Sequence, residues 1–446
     1  MSKNLNIPTY QEIIHFTIPA VLGLATIGLM TLIDTLFIGQ LGTAQLAAVP
    51  LAGLVYAFGI TLLFGVINNS MAFMARAYGA KKYRKIGTIL ANYQLLALLG
   101  LPLLILFIQI WPLFSAIATL NTSVDNFAWI YLKIRVWDVP FSLSLILYSF
   151  FYQSLGNSWF PMLVYSSVLV INVVLDYGLI FGNLGMPALG VAGSAYATVL
   201  AQAFGALFII TVSMLGTTRT RYALRILKRP NFALLKQILR IGLPQGIGNF
   251  IELIAWVGFV LIVGRLGETA LAASNISMQI KYSLVIPGFA MGIVAASYMG
   301  RFLGANCPDI ARQTTNRILI LGIIYMSGLG VVLWFFGSYL AQFFTTDSMV
   351  IYQTELVFKI MALYQVFDGI NMIIRSALGG AGDTFIPTSF VAICTIVIMF
   401  PVAIILSQLV IPGIVGAYLG ALSYLVALAI LMMYRYQNGK WATISL

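Results

Sequence analysis

The 446-residue sequence predicts an all-α polytopic membrane protein with twelve transmembrane helices in two six-helix lobes, related by a pseudo-two-fold axis along the membrane normal. Three observations predict it: an apolar composition, a ladder of spanning-length runs, and a repeat of the first half in the second. Hydrophobic residues make up 61% of the chain and charged residues 8%, where soluble domains carry about a quarter charged. A soluble, disordered or fibrous chain is thereby excluded. The 24 Lys and Arg against 12 Asp and Glu give a net charge of +12. In a soluble chain that excess would suggest nucleic acid; here the basic residues cluster in short gaps between apolar runs, which is how membrane orientation is written. No nucleic-acid partner is expected. Two cysteines, Cys307 and Cys394, supply no disulfide framework.

Apolar runs recur at about 13–38, 48–75, 87–117, 129–154, 160–181, 189–215, 240–264, 274–300, 316–343, 353–378, 384–407 and 413–434. The first is too long for the core of a signal peptide and long enough to span. Lipid cannot satisfy backbone N–H and C=O groups, so each run is a helix or a barrel strand. The runs are about twice the length of a barrel strand and do not alternate, which selects helices.

The gaps carry the orientation. Between runs two and three lie Arg76, Lys81, Lys82, Arg84 and Lys85. Between six and seven lie Arg219, Arg221, Arg225, Lys228, Arg229, Lys236 and Arg240, with no acid among them. Between eight and nine lie Arg301, Arg312 and Arg317 against Asp309, and the tail adds Arg435 and Lys440. The alternate gaps 39–47, 182–188 and 408–412 hold no charge. Basic loops stay inside, so both termini are expected in the cytoplasm and the chain in the plasma (inner) membrane.

The halves match in register. Gly39-Gln-Leu-Gly-Thr-Ala-Gln-Leu-Ala-Ala48 aligns with Gly264-Arg-Leu-Gly-Glu-Thr-Ala-Leu-Ala-Ala273. Met74, Arg76, Gly79 and Ala80 align with Met299, Arg301, Gly304 and Ala305, and Gly190 and Gly193 with Gly413 and Gly416. Six spans per half bring both halves into the membrane in the same direction. The expected domains are an N-lobe at 1–215, a basic cytoplasmic linker at 216–239 and a C-lobe at 240–446. Pro19 with Gly23 and Gly28, and Pro244 with Gly246 and Gly248, either break the first and seventh helices at matching places or reflect the ordinary tolerance of Pro and Gly in membrane helices.

The twelve acids are few enough to inspect singly. Eight, including Asp138 and Asp383, are read as lying at span ends or in gaps; Asp34, Asp176, Glu252 and Asp368 fall inside spans. An ionised carboxylate at membrane depth costs about 2.5–3.5 kcal/mol even on insertion scales, so such residues face a cavity, hold a partner or bind a cation. Counting from the outward ends, Asp34, Asn172, Asp176 and Thr198 all come roughly 6–14 Å below the outer surface. Asn172 and Asp176 are four apart and share a helical face. Two carboxylates, an amide oxygen and a hydroxyl make an oxygen cage for a small hard cation such as Na⁺; the same carboxylates can instead take a proton. The competing reading is a hydrogen-bonded cluster that holds helices together. Glu252 and Asp368 come near the midplane of the second lobe, as cation or substrate ligands or as helix glue. Lys281 is a counter-charge for them or snorkels to the surface.

No phosphate-binding Gly-x-x-x-x-Gly-Lys-Ser/Thr loop occurs, one histidine and two distant cysteines make no zinc or haem site of usual composition, and no nucleophilic triad shares one depth. The chain is therefore not expected to be an enzyme and needs no cofactor beyond a coupling ion.

Several segments together resemble the multidrug and toxic compound extrusion (MATE) family over essentially the whole chain. They are Ile18-Pro19, Asp34 before Phe37-Ile-Gly-Gln-Leu-Gly42, Asn172-Val-Val-Leu-Asp176, Gly190-Val-Ala-Gly-Ser-Ala-Tyr-Ala-Thr198, Gly242-Leu-Pro244, Glu252, and Arg375-Ser-Ala-Leu-Gly-Gly-Ala-Gly-Asp-Thr384. The resemblance implies two six-helix lobes and export of drugs, dyes or metabolites against inward Na⁺ or H⁺. It implies that Asp34, Asn172, Asp176 and Thr198 form the N-lobe cation site, and that Glu252 and Asp368 are the second-lobe acids of the bacterial multidrug branch. Lys281 stands where that branch is expected to carry a neutral residue, which would modify substrate charge preference. The expected partners are a small organic substrate and the lipid bilayer, with a monomeric chain. Three other readings fit the architecture: a lipid-linked saccharide flippase, which would favour a cationic cavity; a twelve-span facilitator-type carrier, whose usual Asp-Arg loop signature after span two is absent; and a non-transporting membrane assembly protein.

Overall fold

The computed structural model describes residues 6–226, 229–444 and 446. Among these, twelve helices are long and apolar enough to cross a membrane. Spans 1 to 6 are Tyr10–Gly39, Thr43–Gly79, Tyr83–Ile117, Thr122–Ser154, Trp159–Phe181 and Val191–Met214. Spans 7 to 12 are Phe232–Gly264, Ile286–Gly304, Pro308–Gln342, Ser348–Ala381, Phe385–Val410 and Ile414–Gln437. Large apolar side chains such as Leu106 and Leu261 lie exposed on these helices, as lipid-facing surfaces require. Span 10 is capped at its head by a side chain: Asp347 accepts from the backbone N–H of Met349 at 2.8 Å and Val350 at 3.3 Å.

Prolines shape the irregular spans. Span 4 tightens into a 3₁₀ turn at Val136–Asp138, just ahead of Pro140, which has no N–H to donate. The eighth apolar run divides into a helix at Glu268–Leu284 and span 8 at Ile286–Gly304, with Pro287 at the start of the second piece. Span 11 carries wide π turns at Cys394–Met399 and Leu406–Val410, on either side of the helical piece that opens Phe400-Pro401. Pro19 and Pro244 behave otherwise. No break occurs, and helix continues through both residues, because a membrane helix tolerates one missing backbone donor when its neighbours hold it.

The contacts group the chain into two compact units: Ile18–Gly246, and the chain up to Thr17 together with Ile247–Leu446. The seams thus fall beside Pro19 and Pro244, within spans 1 and 7, rather than in the basic loop. That loop is also shorter than the sequence suggested. A helix at Gly216–Tyr222 follows span 6, and span 7 already begins at Phe232. Tyr222 packs edge-on against Tyr83 and Phe151 at ring distances of 5.9 and 5.5 Å, inside the first unit. Lys228, counted with the basic residues of this loop, lies outside the described residues.

The repeat is visible in the backbone. Gly42 and Gly267, aligned in sequence, precede helices with φ of 133° and 116°, which side-chain-bearing residues rarely adopt. Lys81 and Asn306, also aligned, turn the chain with φ of 56° and 60°. Gly193 and Gly416 serve close approach: a Cβ on Gly193 would stand 2.3 Å from the Leu179 carbonyl oxygen, and one on Gly416 2.4 Å from that of Ile411. Gly193→Ala is expected to force spans 5 and 6 apart and destabilise the protein by about 1–3 kcal/mol. Thermal unfolding in detergent should show a midpoint several degrees lower; an unchanged midpoint would refute the close packing.

Candidate cation site and the buried ion pairs

In the unit Ile18–Gly246, span 1 brings Asp34, span 5 brings Asn172 and Asp176, and span 6 brings Ser194 and Thr198. Asn172, Asp176 and Ser194 are fully buried. The Asp176 carboxyl lies within hydrogen-bond reach of Asp34, Asn172 and Ser194. Span 5 can present both polar residues because Asn172 and Asp176 are one turn apart, and Gly193 lets span 6 come in close beside them.

These groups are together but not satisfied. Asp34 Oδ1, both Asp176 carboxylate oxygens, both polar atoms of the Asn172 amide, and Ser194 Oγ are buried and make no directional hydrogen bond. Buried polar atoms in folded proteins are almost always paired. Two carboxylates facing each other add repulsion unless something positive stands between them. Five buried oxygens converging from three helices fit a small hard cation, or a proton on either acid. Among the described residues no group of three or more His, Cys, Asp or Glu side chains assembles a metal centre. An ion here would rest on two carboxylates plus neutral oxygens.

The hydroxyl beside the acids is that of Ser194. Thr198, one turn further on, is buried and donates its hydroxyl to the Ser194 carbonyl at 3.0 Å within its own helix. Its oxygen retains a lone pair but its proton is committed.

Span 4 contributes residues that the sequence did not single out. Arg135 Nη1 stands 2.7 Å from Asp138 Oδ2, and the same oxygen accepts from the Tyr56 hydroxyl at 2.9 Å. The guanidinium also lies over the Tyr56 ring, 5.0 Å from its centre. Asp138 is 1% exposed and sits at the 3₁₀ turn in the middle of span 4, not at a span end or in a gap as the sequence suggested. Arg135 acts electrostatically on Asp34 as well. The cluster therefore sets three acids against one guanidinium.

The second unit balances its charges differently. Glu252 on span 7 pairs with Arg375 on span 10, whose Nη2 also donates to Asn249 Oδ1 at 3.0 Å. Asp368 on span 10 pairs with Lys281 Nζ at 2.9 Å. The two acids thus have separate basic partners and do not form a bare carboxylate pair. Lys281 is 5% exposed and lies over the rings of Trp256 and Tyr364, at 4.9 and 5.1 Å from their centres; it does not snorkel. Trp256 also lines a cavity of about 370 Å³ with Val260, Asn275, Met278, Gln279 and Tyr282. Arg375→Gln should lower the unfolding midpoint by a few degrees, corresponding to about 1–2 kcal/mol for a half-exposed charged hydrogen bond. A midpoint within error of the parent protein would show the pair to be energetically idle.

Twelve apolar helices, with the second half repeating the first and buried acids inside both, define a polytopic membrane protein. The chain belongs to the MatE family, whose model matches residues 19–178 and 244–405, one stretch in each half. It is 26% identical over 440 residues to the probable multidrug resistance protein NorM of Thermotoga maritima, covering 97% of this chain and 93% of that one. It is 29% identical to the multidrug resistance protein NorM of Burkholderia vietnamiensis, covering 91% and 89%. Among solved structures, the Vibrio cholerae MATE transporter VcmN in its bent form matches with a TM-score of 0.87 at 20% identity, covering 96% of both chains. The eukaryotic MATE transporter AtDTX14 matches with a TM-score of 0.85 at 18% identity, covering 97% and 96%. MATE proteins are transporters, so the chain is not an enzyme.

Proposed function

We propose that the protein is a cation-coupled antiporter that exports small organic cations from the cytoplasm by alternating access, driven by inward Na⁺ or H⁺. The observation that carries this reading is the difference in charge balance. Glu252 and Asp368 already hold Arg375 and Lys281, whereas Asp34 and Asp176 face one another with orphaned oxygens, and the one guanidinium near Asp34 is paired with Asp138. The incoming cation therefore binds at Asp34 and Asp176, with Asn172, Ser194 and Thr198 supplying neutral oxygens. The names of the NorM relatives support multidrug export.

Each positive charge drawn inward gains about 2.3 kcal/mol per 100 mV of membrane potential. Binding between the acids relieves their repulsion and draws spans 1, 5 and 6 together; release lets them separate. An ion that binds one arrangement better than the other shifts the equilibrium by that difference and no more. The basic gaps support a plasma (inner) membrane location with both termini in the cytoplasm. The two bundles of six spans and the basic loop between them act as the moving parts, and one chain suffices.

The test is efflux of ethidium from proteoliposomes with Na⁺ and pH gradients imposed separately. Acceleration by either gradient supports the reading and names the ion. A rate indifferent to both gradients overturns it.

A further inference from the structure

We propose that Lys281 is a tethered occupant of an ammonium cage, and that an organic ammonium seated in the neighbouring cavity takes its place. The inference rests on the export reading for the class of ligand, but its test does not. A carboxylate flanked by two aromatic faces is the chemistry that recognises an ammonium group. In the unit that contains span 10 this chemistry is already filled. Lys281 Nζ touches Asp368 at 2.9 Å and lies over Trp256 at 4.9 Å and Tyr364 at 5.1 Å. Tyr364 and Asp368 are one turn apart on span 10, so ring and carboxylate face the same side.

The cage shares a wall with a place for a ligand. Trp256 is common to the cage and to the cavity of about 370 Å³, which is within the size range of small-molecule sites. Met278, Gln279 and Tyr282 line the cavity from the same helix that carries Lys281. Its walls are apolar and aromatic with two amides and no charge, so a ligand's body fits there with its cationic end turned to the cage, while Glu252, the other acid near Tyr282, is held by Arg375. The Gln365 amide, one turn before Asp368 on span 10, is fully buried with neither polar atom hydrogen-bonded.

The consequence is a threshold. A side-chain ammonium on a four-carbon stem competes at an effective concentration in the millimolar range. A bare ammonium ion gains nothing by displacing it. A cation with an apolar body gains the cavity contacts in addition and wins. Lys281 thereby selects for amphipathic cations and leaves Asp368 neutralised when none is present.

Ethidium binding to the purified full-length protein in detergent tests this by fluorescence titration, with no gradient and no flux. Lys281→Met should tighten binding three- to tenfold, and adding Asp368→Asn should remove the gain. Unchanged or weaker binding in Lys281→Met overturns the proposal, even in a protein that exports ethidium. If that variant fails to fold, the parent protein decides the matter. Saturating ethidium should raise acetylation of Lys281 by acetic anhydride several-fold, read by peptide mass spectrometry; unchanged or reduced acetylation overturns it.

Discussion

Asp34→Asn should abolish ion-driven efflux while leaving the protein folded. The substitution keeps the size of the side chain and removes its charge. Asp176 is then the one carboxylate left in the cage, beside an Asp138 that Arg135 already neutralises. The repulsion that calls for an incoming cation is gone, and so is half of the anionic part of the cage. Asn also donates from its amide, which satisfies some of the buried oxygens permanently instead of in turn with an ion. The measurement is ethidium efflux from proteoliposomes under the gradient that drives the parent protein, together with the unfolding midpoint in detergent. The expected rate is that seen without a gradient, with a midpoint within about 2 °C of the parent. Full gradient-driven transport by this variant would remove Asp34 from the mechanism.

Arg135→Met should bind the coupling cation at least tenfold more tightly and turn over at least tenfold more slowly. The guanidinium is a fixed positive charge beside a site that must take up and release another one. Removing it leaves Asp34, Asp138 and Asp176 as a purely acidic group, and a tenfold gain in affinity needs about 1.4 kcal/mol, a modest share of a buried charge–charge interaction. The effect should appear as a lower half-saturating cation concentration with a depressed maximal rate. A merely structural role would lower the rate without tightening binding. Arg135→Lys keeps the charge and should restore most of the turnover, and failure of that rescue together with unaltered cation affinity would reassign Arg135 to packing.

Much of this arrangement was legible in the sequence because membranes limit the options. Span number, helical type and the in-register repeat follow from apolar length and from glycines such as Gly42 and Gly267, which the backbone uses in the same way in both halves. The meeting of Asp176 with Asn172 follows from helical periodicity. What periodicity does not give is which helices touch. Acids alone do not point to Arg135; a depth count over every Lys and Arg places Arg135 and Arg375 inside spans. Asp138 reads from the sequence as lying at a span end because nothing local marks span 4 as starting at Thr122, well before its most apolar stretch. Glu252 and Asp368 stood as a pair on depth alone, and their separate partners become visible once spans 7 and 10 and the helix at Glu268–Leu284 are seen together. Ser194 adds a second hydroxyl one turn from Thr198, and which of the two stands nearer the acids depends on how span 6 is rotated.

The seam within span 1 has a consequence for how the chain is made. Ile13 and Phe16 belong to the core of the unit built from Ile247–Leu446, where Phe16 meets Tyr298 edge-on at 5.7 Å. The tyrosine leaves the ribosome about 280 residues after these side chains, an interval of roughly 15–60 s at ordinary rates of synthesis. Through that interval the opening helix must wait in the bilayer, or in the keeping of the insertion machinery, before its partners arrive. Long-lived, partly assembled intermediates are therefore built into biosynthesis, and slow elongation or a bulky amino-terminal fusion should depress the yield of mature protein through the distal half of the sequence.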